Sequence, residues 1–124
     1  MKIIKQGKNE GIGKRSIINT ELKDDKGNEI IIDTCYLGGV GSMMDVFFEG
    51  KDTTGVIETM VSLNDKWINR TQRRYETEEE AIKDHKKIVE LFLKNGVEEI
   101  LSFNEVCGGG FSETDDELKE LMKK

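Results

Sequence analysis

Between Thr77 and Gly96 the chain carries one uninterrupted amphipathic pattern, and such a pattern is stable only against a second layer. At about 100° per residue, Ala81, Ile82, His85, Ile88, Val89 and Phe92 fall within a single stripe. The Thr77 hydroxyl can accept from the Glu80 amide while the Glu80 carboxylate returns to the Thr77 amide, a capping box that fixes the start. Glu78, Glu79 and Glu80 meet the positive end of the helix dipole, and Asn95-Gly96 supplies a left-handed stop. A helix with one apolar stripe cannot bury it alone, so the covering layer must come from elsewhere in the chain.

The upstream residues supply that layer. Ser16–Leu22 and Glu29–Leu37 are β-leaning runs joined by Lys23-Asp24-Asp25-Lys26-Gly27-Asn28, a turn that favours positive φ, and together they predict a hairpin. Residues 42–49 are too densely apolar for a strand with one wet face and predict a central strand. Val56–Leu63 and Trp67–Tyr75, separated by Asn64-Asp65-Lys66, predict two more. Val97–Cys107 reads equally as strand or helix, and Gly108–Gly110 as a hinge. Thr114 with Glu117 offers a second capping box, opening a short helix whose Leu118, Leu121 and Met122 need something to pack against. The expectation is a single α+β domain over residues 1–124: an antiparallel sheet of about four to five strands packed by one long helix, with a short C-terminal helix.

Net charge of −6 sets long-range repulsion against phosphates and anionic lipid, so nucleic acid is not the default partner. Cys35 and Cys107 stand far apart and the chain has one histidine, so no zinc tetrahedron is in view, and neither metal nor cofactor is expected. Nowhere do 18 consecutive apolar residues occur; a cytoplasmic protein with reduced thiols and no membrane association is expected.

His85 is the one group that titrates near neutrality unaided, yet it sits mid-stripe between Ile82 and Val89, the place of a neutral core imidazole rather than a general base. Gly11-Ile12-Gly13-Lys14-Arg15-Ser16 lacks phosphate-loop spacing, and Asp24–Glu29 lacks the ligand pattern of a calcium loop. No catalytic residue is assigned. Three of the chain's four arginines, Arg70, Arg73 and Arg74, lie within five positions, and Trp67 and Tyr75 add stacking surface. These five are the candidate partner-binding residues, and pairing of the arginines with Glu76–Glu80 is the competing account. Strict alternation would send Ile68, Arg70, Gln72 and Arg74 to one face and Trp67, Asn69, Thr71, Arg73 and Tyr75 to the other. Leu91 and Leu93 widen the apolar arc at the helix end and form a candidate oligomer contact.

Glu58-Thr59-Met60-Val61, then Arg73-Arg74-Tyr75, then Thr77-Glu78-Glu79-Glu80-Ala81 with His85 and Val89 together resemble a group of small uncharacterised bacteriophage and prophage proteins. The resemblance covers roughly residues 56–93 and implies a phage origin rather than an activity. With the arginine region and its neighbouring loops as contact surface, the expected function is that of a non-enzymatic phage accessory protein in the host cytoplasm that binds and inhibits a host protein, such as a defence component. The alternative is a virion or assembly protein acting through self-association.

Overall fold

The computed structural model describes residues 1–7, 15–36, 57–103 and 112–123. Five strands, β1 (Lys2–Gly7), β2 (Arg15–Lys23), β3 (Glu29–Tyr36), β4 (Ile57–Leu63) and β5 (Lys66–Tyr75), form one antiparallel sheet in sequence order. Helix α1 (Glu78–Asn95) lies on one face, a 3-10 helix follows at Val97–Ser102, and α2 (Asp115–Leu121) closes the described chain. The α+β architecture is the one the helix stripe and the β-runs dictate. The expected strand over 42–49, the residues 104–107 and the hinge at Gly108–Gly110 lie outside the described residues. Val97–Ser102, left open between strand and helix, is a 3-10 helix.

Local chemistry sets the boundaries. Thr77 caps α1 by accepting the Glu80 amide at 3.2 Å, and Gly96 ends it at φ 77°, donating its N–H to the Phe92 carbonyl at 2.8 Å. In the β2–β3 turn, Asp24 Oδ1 accepts from the amides of Lys26 and Asn28 at 2.9 and 2.8 Å, and Gly27 takes the positive φ. Burial raises the Asp24 pKa, but the Asn28 side-chain amide, donating to Oδ2 at 2.9 Å, and after it these two backbone amides outweigh that and hold the carboxylate below its ordinary value. β1 escaped the sequence reading, because Lys-Ile-Ile-Lys-Gln has no one-sided alternation and all six of its residues are exposed.

Among the described residues the core divides in two. A larger cluster gathers Leu22, Ile30, Ile32, Val61, Leu63 and Ile68 from the sheet with Ile88, Val89 and Phe92 from α1. A smaller one holds Ile17, Ile57 and Ala81. α2 is short, but Leu118 is fully buried in the larger cluster. Two side-chain amides then clamp the chain beyond it. Asn28 Oδ1 accepts from the Lys123 amide at 2.6 Å and its Nδ2 donates to the Lys123 carbonyl at 3.0 Å, while Asn64 Nδ2 donates to the Leu121 carbonyl at 2.7 Å. An isolated helix of this length would melt, so burial of Leu118 and these bonds hold it.

Candidate functional site

The candidate site starts from an irregularity in β5. Thr59 pairs with Arg73 and Val61 with Ile68, so one residue of β4 stands opposite four of β5. Three backbone amides at this bulge find side-chain partners. Thr71 Oγ1 accepts the Val61 amide at 2.9 Å, and the two carboxylate oxygens of Glu113 accept the amides of Asn69 and Arg70 at 2.9 and 3.0 Å. The bulge also reverses the alternation. Ile68 and Arg73 stand an odd number of positions apart, yet Ile68 enters the core and Arg73 reaches α1, both on the helix side of the sheet.

The five residues singled out in the sequence therefore separate. Arg70 is not on the surface: it is 7% exposed, with Nη1 donating to the Glu113 carbonyl at 3.0 Å and pairing with Asp115 at 2.7 Å, and Nη2 donating to the Leu101 carbonyl at 2.6 Å. It ties β5 to the 3-10 helix and to the start of α2. Trp67 is 43% exposed, stands opposite Ser62, and lines a shallow hollow with Asp33, Cys35, Glu58 and Met60 on the sheet face away from α1. Arg73 and Tyr75 point into one open cleft of about 610 Å³ with Glu80, Lys83, Asp84 and Lys87 of α1, and Arg74 lies at its edge with its side chain turned to Glu58 on the other face of the sheet. The partners of the arginines differ from the expected Glu76–Glu80, because the bulge turns Arg73 towards the second turn of the helix and leaves Arg74 facing Glu58.

Within the cleft, Arg73 Nη1 meets both carboxylate oxygens of Asp84, at 3.0 and 3.3 Å, and its guanidinium lies 4.9 Å from the centre of the Phe103 ring. The Tyr75 hydroxyl donates to the same Asp84 carboxylate. Burial, and after it the bond to Asp84 and that group's charge, push the Tyr75 hydroxyl far above its ordinary pKa, so it remains a donor. Arg74 is more exposed and reaches Glu58 only at 3.7 Å, while Gln72 also donates to Glu58. Lys83 and Lys87 are exposed and enter no ion pair among the described residues. The Tyr36 hydroxyl donates to Glu78 at the head of the helix.

His85 lies beneath this surface and is fully buried. Its Nε2 is 2.8 Å from the Thr20 hydroxyl and its Nδ1 is 2.8 Å from that of Thr34, which in turn lies 2.6 Å from Thr59. The four side chains form a polar layer between the two apolar clusters. Burial lowers the imidazole pKa to about 4, with the Asp84 charge opposing, so the ring is neutral at pH 7. The core position read from the helix stripe is the position observed, with two hydroxyl partners where one was expected. A Thr–His pair can activate a hydroxyl in an open cleft; this one has both ring nitrogens engaged and no exposed surface.

Leu93 is 39% exposed and Leu91 half-buried at the far end of α1. No helix among the described residues is long and apolar enough to cross a membrane. Comparison with protein-family models, with curated proteins and with solved structures yields no match.

Proposed function

We propose that the chain is a non-catalytic accessory protein that binds and inhibits a host protein, with the cleft between β5 and α1 as its contact surface. The observation that carries this reading is the gathering of Arg73, Arg74, Lys83 and Lys87 around one cleft in a chain of net charge −6. Arg73 is fixed in place by Asp84 and Phe103, so part of the surface is ordered before any partner arrives, which lowers the entropy lost on binding. The two exposed lysines project beside that ordered base. The burial of His85 against threonine hydroxyls favours binding over acid–base chemistry.

The test is affinity purification of the tagged chain from a bacterial host. The expected result is one host protein recovered in stoichiometric amount and lost with Arg74→Glu, a substitution at an exposed site that should retain the circular dichroism spectrum and lower Tm only slightly through the facing Glu58 carboxylate. Retention of the complex by Arg74→Glu, or absence of any stoichiometric partner, would overturn the reading.

A second reading, self-association in an assembly role, draws on the exposure of Leu93 and on β1, where Ile3 and Ile4 are 42% and 52% exposed on an edge strand. Light scattering after size exclusion separates the two. Self-association predicts a mass that rises with concentration and falls back with Leu93→Lys, whereas partner binding predicts a monomer indifferent to that change.

A further inference from the structure

Resting on that contact-surface reading, we infer that the β5–α1 cleft receives a short acidic protein segment, with Lys83 and Lys87 supplying the attraction. Four cations and two carboxylates line the cleft. Of the carboxylates, Asp84 is already held by Arg73 and the Tyr75 hydroxyl, so its charge is largely compensated within the protein. Lys83 and Lys87, four positions apart, stand on the same helix face with no ion pair among the described residues, and like charges at that spacing destabilise a helix slightly unless a counter-charge arrives. A ligand carboxylate between them supplies it.

Size and surroundings decide which anion fits. A volume of about 610 Å³ takes a few side chains of a bound segment. Glu78 and Glu79 extend the helix beyond Glu80, and the chain as a whole is acidic, so a nucleic acid running past the cleft would meet repulsion at the helix start. A short segment bearing two or three carboxylates occupies the Lys83–Lys87 end and stops before Glu80.

Fluorescence anisotropy with a labelled six-residue peptide of alternating aspartate and glutamate tests this, with the asparagine and glutamine peptide and a short oligothymidylate as comparators. The acidic peptide should bind at low salt and weaken as salt rises, the neutral peptide should not bind, and Lys83→Gln with Lys87→Gln should reduce affinity roughly tenfold or more. Both lysines are exposed on a helix and glutamine is a good helix former, so the fold should survive. Absence of acidic-peptide binding, equal binding of the neutral peptide, tighter binding of the oligonucleotide, or indifference to the lysine changes would each overturn the inference. Loss of the host complex with Arg74→Glu, together with full peptide affinity in the lysine double variant, would remove the acidic segment and leave the contact surface standing. Lysine-dependent peptide binding, with a host complex untouched by Arg74→Glu, would do the reverse.

Discussion

Acidification from pH 7 to pH 5 should cost the folded state about 2 kcal/mol through His85 alone. The ring has an ordinary pKa of 6.5 and one of about 4 in the folded chain, chiefly because burial excludes the charged form. Below 6.5 the unfolded chain takes up a proton that the folded chain refuses until about 4, so stability present above the upper value is lost as the pH falls through the window. The whole window is worth about 3 kcal/mol, at 1.36 kcal/mol per unit, and the step from pH 7 to pH 5 captures somewhat more than half of it. The chain has one histidine, so no other imidazole confuses the slope, and most carboxylates titrate lower. Urea unfolding followed by far-UV circular dichroism at half-unit intervals measures it, with His85→Gln as the comparison. That variant should start less stable and show a nearly flat profile from pH 7 to pH 5. A wild-type loss below about 0.5 kcal/mol, or the same slope in both proteins, would refute the assignment of the ring as buried and neutral.

Thr34→Val keeps the shape but removes the hydroxyl that meets both His85 Nδ1 and Thr59, so it should destabilise by about 1–3 kcal/mol in urea unfolding. Combined with His85→Leu, which removes the group left unsatisfied, it should cost less than the sum of the two single changes. Glu113→Gln leaves one acceptor oxygen for two amides of the β5 bulge and should lower stability by about 1–3 kcal/mol, measured the same way. Faster hydrogen exchange at Asn69 and Arg70 should accompany it. Thr77→Ala removes the cap on α1 and should cost about 1 kcal/mol by thermal unfolding, leaving the cleft residues chemically unchanged.

Local rules reach as far as the information they use. The spacing of Ala81, His85, Ile88, Val89 and Phe92 specifies a helix and its buried face, because the helical period is fixed by the backbone and each of these side chains follows from its position. The caps at Thr77 and Thr114 and the turn at Asp24–Gly27 are equally local, each a bond between groups a few residues apart. β1 lacked a local signal, since neither of its faces is covered and no alternation was required of it.

The cleft is another matter. Reading β5 with strict alternation put Arg73 and Arg74 on the wrong faces relative to Ile68, because the bulge between them is stabilised by Glu113, more than forty residues away, and by the hydroxyl of Thr71 bonding across to β4. The burial of Arg70 depends on carbonyls of Leu101 and Glu113, and the seat of Arg73 on Asp84 and Phe103; none of these partners is marked by sequence spacing. Charge composition identified a cluster of guanidinium groups, and only long-range contacts sorted it into an internal tie, an ordered wall and an exposed contact. Backbone periodicity is a property of each segment, whereas the direction of a side chain beside a bulge is set by whichever distant group satisfies the amides that the bulge leaves open.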